Sequence, residues 1–270
     1  MTDTLPSGRG MLRWLALMSS LALIATLLPV TPASAQRTTE NACPSDVKFK
    51  DPGFPDQKAL SSTNEREIIC IYNWGITRGK ADGTFGTLSG LNRAQLVTFM
   101  INLIGVAGVE LGTEPAPADT FTDTDTISAA HRGNVLTAAA VGIVVGFEDG
   151  SFRPSATVTR AQAASYLVRT QRIINTSYDI SPEDLEAYLD TLDFDAELTD
   201  IAGNVHEDNI VLLARLGVVA GYPDGTYRPG AALLRGHTAA ILARHLDVLD
   251  ELDLDYLAPT NPPVPWRPWR

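Results

Sequence analysis

Residues 142–162 read GIVVGFEDGSFRPSATVTRAQ, and the same pattern recurs twice more without a gap, as GITRGKADGTFGTLSGLNRAQ at 75–95 and GVVAGYPDGTYRPGAALLRGH at 217–237. Aligned on Gly75, Gly142 and Gly217, the copies share a second glycine (Gly79, Gly146, Gly221). An Asp-Gly pair follows (Asp82-Gly83, Asp149-Gly150, Asp224-Gly225), then an aromatic residue (Phe85, Phe152, Tyr227) and an arginine eleven residues after each Asp (Arg93, Arg160, Arg235). Self-similarity in a fixed register is the signature of a repeat architecture, in which each unit is too small to bury its own apolar face.

The flanks of each copy predict two helices. Before the glycine, Ile68 and Ile71, Val135 and Ala138, and Ile210 and Leu213 place apolar groups on one helical face. The glycine then stands where a helix commonly ends in a left-handed residue. Asp-Gly marks a tight turn, and the following aromatic anchors the loop on the core. The second helix opens on a capping box at Thr159-Arg160-Ala161-Gln162 and again at Asn92-Arg93-Ala94-Gln95, where cap and third residue exchange hydrogen bonds. Leu234-Arg235-Gly236-His237 lacks both partners. The expected fold is mainly α: three helix-loop-helix units round a pseudo-threefold axis, with short extended loops.

An aromatic or aliphatic residue two before an Asp marks the start of each unit, read as Phe49-Lys50-Asp51, Phe121-Thr122-Asp123 and Leu198-Thr199-Asp200. On that reading the first copy carries an insertion, with 24 residues from Asp to glycine against 19 and 17. The units then run 49–107, 121–171 and 198–249, with connections at 36–48 and 108–120 and an acidic linker at 172–197. Within the linker, Ser181-Pro182-Glu183-Asp184 reads as a helix start. Residues 250–270 form an acidic, then Pro/Trp/Arg-rich, tail.

Residues 1–35 read as an export signal: Arg9 and Arg13, an apolar run from Trp14 to Val30, and Ala33-Ser34-Ala35 as a small-residue cleavage site. The alternative is a retained anchor, but 17 apolar residues ending near Pro29 fall short of the ~20 that span a bilayer, so no stable membrane span is expected after cleavage. The full chain has net charge −11; without Arg9, Arg13 and Asp3 it carries 19 basic and 31 acidic residues, net −12. That balance excludes a nucleic-acid partner, which requires a basic face. Cys43 and Cys70, an even pair in an exported chain, are expected to form a disulfide, two free buried thiols being the alternative.

The register F-x-D, G-I-x-x-G, D-G-x-F and T-R-A-Q resembles the S-layer homology (SLH) family, with the second copy (FTD, GIVVG, DGSFRP, VTRAQ) the most specific. The TRAQ form is similar to versions from Gram-positive actinobacteria. The resemblance implies a secreted, non-enzymatic protein of a Gram-positive cell wall, which binds an anionic secondary cell-wall polysaccharide through grooves between repeats. Carried onto this sequence, it points to Arg93, Arg160 and Arg235, with Gly79, Gly146 and Gly221 lining the grooves.

An arginine on the first turn of a helix has an independent rationale, because free N–H groups and the helix dipole favour an anion there and the guanidinium adds a two-pronged donor. A solvated or salt-bridged arginine is the competing reading. Other surface proteins are possible partners, so an assembly or adhesion scaffold, or one carrying an unrecognised activity, is the alternative function. No cofactor or metal is expected. His131 and His206 share a column with Asn64, where helix-start hydrogen bonding is expected rather than metal ligation. No nucleophile elbow, zinc-protease pair or phosphate loop occurs in the sequence.

Overall fold

A computed structural model describes residues 39–193 and 197–252 of the chain. The signal read over 1–35 and all but the first residues of the 250–270 tail lie outside the described residues. Seven α-helices occur among the described residues: α1 (Ser62–Asn73), α2 (Arg93–Val106), α3 (Ala129–Ala140), α4 (Arg160–Ser177), α5 (Pro182–Leu189), α6 (Glu207–Arg215) and α7 (Arg235–Glu251). Three helix-loop-helix units, α1/α2, α3/α4 and α6/α7, account for six of them, and α5 lies in the connection before the last.

The helix ends follow from the sequence. Gly75, Gly142 and Gly217 adopt φ values of 77°, 78° and 69°. The residue after each glycine donates its N–H back across the helix end: Ile76 to Ile71 O, Ile143 to Ala138 O and Val218 to Leu213 O, each at 2.9 Å. This is the bond that satisfies carbonyls left open at a helix terminus. Both capping boxes form, at Asn92/Gln95 and Thr159/Gln162, and Leu234 makes no side-chain cap. Ser181 and Asp184 close a third box, with Pro182 in the first turn of α5.

The second helix of each unit packs against the first helix of the next, α2 on α3, α4 on α6 and α7 on α1, so the units close into a ring. At its centre three backbone hydrogen bonds form a cycle: Leu91 N–H to Leu233 O at 2.8 Å, Leu233 N–H to Val158 O at 2.9 Å and Val158 N–H to Leu91 O at 2.9 Å. The three side chains are fully buried there, which ties the closure of the backbone cycle to apolar burial worth about 1.5–3 kcal/mol per residue. Cys43 and Cys70, both buried, form a disulfide with Cα atoms 5.8 Å apart. Trp74 Nε1 donates to Ala42 O, and Ala42 N–H to Asp247 Oδ1, which fastens the segment before the first unit to α1 and α7.

One register reading is corrected. Asp123 accepts the N–H groups of Phe152 and Arg153, and Asp200 those of Tyr227 and Arg228. In the first unit the residue in this role is Asp56, whose carboxylate accepts from Phe85, Gly86 and Thr87 at 2.7–2.8 Å. Asp51 instead binds Gly53 N–H and the Gln57 amide at the surface. The unit therefore starts at Phe54-Pro55-Asp56, and Asp56 to Gly75 is 19 residues, as is Asp123 to Gly142. The expected insertion disappears. Helix α4 also continues to Ser177, past the boundary drawn at 171, because Ile174 and Asn175 remain buried.

Candidate functional site

Arg93, Arg160 and Arg235 each open the second helix of a unit, and each points into the loop of the next. Their exposures are 6%, 9% and 5%. Arg93 stacks 4.8 Å from the Phe152 ring centre and donates Nε–H to Phe152 O at 2.7 Å. Arg160 lies 4.4 Å over Tyr227, donating Nε–H to Tyr227 O at 2.7 Å and Nη2–H to Ala220 O at 3.0 Å. Arg235 sits between Phe85 and Phe99, 4.8 and 4.6 Å from their centres. Among the described residues it reaches Thr77 Oγ1, at 3.3 Å, and its buried Nε finds no partner there. Burial, with Asp56 opposing, pulls the Arg235 pKa down to about 10. Among the described residues none of the three guanidinium groups has a carboxylate within ion-pair distance. A buried cation without a counter-charge is costly unless aromatic faces, carbonyls or an external anion compensate it.

The helix-start N–H groups are not free. Arg93 and Ala94 donate to Ala156 O and Pro154 O, Arg160 and Ala161 to Ala231 O and Pro229 O, and Arg235 and Gly236 to Ser89 O and Thr87 O. The next N–H is taken by the cap, Gln95 by Asn92 Oδ1 and Gln162 by Thr159 Oγ1. In the first two units the helix-start donors are thus taken up by ring closure and capping, whereas in the third Leu234 provides no cap for His237 N–H.

The second glycines also serve packing. A Cβ on Gly79 would stand 2.7 Å from Phe54 Cζ, one on Gly146 3.1 Å from Phe121 Cε1, and one on Gly221 2.7 Å from Leu198 Cδ2. Each therefore allows close approach of the residue that starts its unit. Asp82, Asp149 and Asp224 each accept a backbone N–H and a hydroxyl from the residue two further on (Thr84, Ser151, Thr226), which holds the turns at Gly83, Gly150 and Gly225.

His131 and His206 bond hydroxyls of the preceding unit, Nδ1 to Thr98 Oγ1 and to Ser165 Oγ, both at 2.7 Å. Those contacts bridge two of the three inter-unit grooves. At the third, the columns hold Ala240 and Asn64 instead; Asn64 Nδ2 donates to Gly236 O at 3.3 Å, and a cleft of about 340 Å³ lined by both residues lies there. Its wall includes Arg160 from the second unit, Gly221, Tyr222 and His237 from the third, and Glu67 from the first, with Arg244 beside it. Tyr222 presents its ring to Arg160 at 5.2 Å. Burial first, then Arg160 and Arg244, lower the His237 pKa. The sequence reading missed Asn64, Glu67, Tyr222 and Arg244 as site residues. The available signal was the loss of the hydroxyl column at Ala240 together with the loss of the histidine column at Asn64. The cleft thus joins Arg160 and Arg244 to an aromatic wall, an arrangement suited to an anionic sugar or peptide group.

The family model for the S-layer homology domain matches residues 120–164 and 199–239, the second and third units. Cell surface glycoprotein 1 of Acetivibrio thermocellus is 27% identical over 172 residues, 63% of this chain and 7% of that protein. The cellulosome-anchoring protein of the same organism is 28% identical over 171 residues, 63% of this chain and 35% of its own length. The surface layer protein of Brevibacillus choshinensis is 35% identical over 111 residues, 41% of this chain and 10% of that protein. The chain thus spans about a third or less of each of these relatives.

Proposed function

We propose, for a chain that carries S-layer homology domains at 120–164 and 199–239, the role of a non-enzymatic binding module of the bacterial cell surface, holding an anionic polymer of the cell wall. Relatives named for the cell surface, the surface layer and cellulosome anchoring support the location. The observation that carries the binding reading is Arg160: buried, without a carboxylate partner among the described residues, and lining an open cleft with His237 and Arg244. Arg93 and Arg235 occupy the matching places in the ring. With a body at −11, long-range forces repel a polyanion, so affinity must come from a few sheltered cations at short range.

The triple replacement of Arg93, Arg160 and Arg235 is a poor test, because each arginine also holds two units together. Tyr222→Ala and His237→Ala change the cleft wall while leaving the ring's backbone bonds in place. The protein should pellet with native wall sacculi and fail to pellet with sacculi stripped of acidic polymer. Either cleft variant should lose most of the pelleting while keeping its circular dichroism spectrum. Equal pelleting with native and stripped walls, or undiminished pelleting of both folded variants, contradicts the reading.

A further inference from the structure

Glu67 is the acidic residue on the wall of a cleft that also presents Arg160 and Arg244, and anion holding alone gives it no role. It projects from α1 at 3% exposure. Its carboxylate accepts one hydrogen bond, from Asn64 Nδ2 at 3.1 Å. Arg244 Nη2 stands 3.8 Å from its Oε1, within ion-pair range and too far for a hydrogen bond. The charged and titratable groups around it are Arg244 and His237 from α7, Arg160 from α4 across the cleft, and Arg66 on its own helix. In the other two units the same column holds Asn134 and Asn209, and Asn209 donates to Ser165 Oγ in a bridged groove. This interface combines an open cleft with an ionisable carboxyl on its wall.

Building on the polymer-binding reading, we infer that Glu67 makes anion capture in this cleft proton-linked. The neutral carboxyl admits the anion beside Arg160 and releases Arg244 to it; the carboxylate engages Arg244 and repels the anion. The chemistry follows from like charges in a sheltered space, where screening is weak. Burial, opposed by Arg244, Arg66 and the Asn64 bond, raises the Glu67 pKa to about 7, so the exchange falls in the neutral range. One proton taken up on binding changes affinity by at most about tenfold per pH unit.

The test is binding of the full chain to native wall sacculi from pH 6 to pH 8.5 at fixed ionic strength, with polymer-stripped sacculi as the blank. The wild type should weaken by about tenfold between pH 6 and pH 8. Glu67→Gln should bind at the wild type's low-pH affinity across the range, with less than about a twofold change. In parallel, the Glu67 carboxyl carbon followed by NMR in the wild-type protein should titrate at higher pH once solubilised wall polymer is added. A flat wild-type profile, a Glu67→Gln variant with the wild-type slope, or a Glu67 titration indifferent to polymer overturns the proton linkage. Measurable but flat binding sinks this inference and leaves the polymer reading standing. No binding at any pH sinks both.

Discussion

Replacing Asp56 by alanine is expected to cost about 2–4 kcal/mol of folding stability, and replacing Asp51 less than about 1 kcal/mol. The Asp56 carboxylate accepts three consecutive N–H groups, from Phe85 at 2.8 Å, Gly86 at 2.7 Å and Thr87 at 2.8 Å, and its own carbonyl accepts the Thr87 hydroxyl at 2.7 Å. Hydrogen bonds to a charged acceptor contribute about 1.5–3 kcal/mol each. These are half-buried, and the freed N–H groups regain some water, so the total stays well below three times that value. The loop they hold carries Phe85, which is fully buried, and supplies the Thr87 and Ser89 carbonyls that receive the first N–H groups of α7. Losing the clamp therefore loosens the closure between the third unit and the first.

The pH dependence supplies a second check. Burial raises the Asp56 pKa, but the three N–H donors outweigh it and hold the group below its ordinary 3.8. A carboxyl depressed in the folded state contributes stability above its unfolded pKa and loses it as pH falls through the folded one. The deficit of Asp56→Asn against the wild type should thus be full at pH 6 and shrink below about pH 4. Urea unfolding at both pH values measures it. Equal costs for Asp51→Ala and Asp56→Ala, or an Asp56→Ala cost under about 0.5 kcal/mol, would refute the register and the clamp together.

Glu67 acts in the opposite sense: its folded pKa of about 7 lies above the 4.5 of the unfolded chain, so stability falls as pH rises between those values, by roughly 3 kcal/mol if the full shift is realised. Glu67→Gln should accordingly be more stable than the wild type at pH 8 and similar at pH 4.5, a comparison read by urea unfolding. Gly236→Ala places a Cβ 2.6 Å from Leu60 Cδ1, 2.8 Å from Thr87 Cγ2 and 3.0 Å from Thr87 O and should destabilise by about 1–3 kcal/mol. Gly133→Ala meets nothing within 4 Å in the middle of α3 and should stabilise by about 0.5–1 kcal/mol, so thermal melts of the two should move in opposite directions. Arg228 holds a φ of 57° where the first unit has Gly86 at 81°. Arg228→Gly should stay within about 0.5 kcal/mol of the wild type, strain relief offsetting the exposed Asp224 pair, whereas Arg228→Val should cost about 1–2 kcal/mol in the same assay.

What was legible in the sequence was local. Gly75, Gly142 and Gly217 end helices because a glycine after an apolar stripe has few other uses, and the Asn92 and Thr159 caps follow from four-residue patterns. His131 and His206 hydrogen-bond at helix starts as expected, and the structure supplies their partners, hydroxyls of the preceding unit. The first unit's start was misread because two aromatic-x-Asp triplets lie five residues apart, Phe49-Lys50-Asp51 and Phe54-Pro55-Asp56. Equality of spacing with the second copy would have chosen the latter. The arginines were placed correctly at helix starts, but their surroundings were not, because the bonds that occupy those helix ends come from carbonyls some 60 to 150 residues away in the chain. The cleft was invisible for a related reason. It arises where Ala240 of the third unit meets Asn64 of the first, a juxtaposition made only when the ring closes.

The central claim is that an anionic wall polymer sits in the cleft between Arg160, Tyr222 and His237. Titration of the isotope-labelled protein with solubilised wall polymer, followed by NMR, tests it most directly. The account predicts saturable shifts concentrated on the Arg160 Nε–H, the Gly221 and Tyr222 amides and the His237 ring. Saturable shifts confined to another face of the ring, with these four signals unmoved, would contradict it.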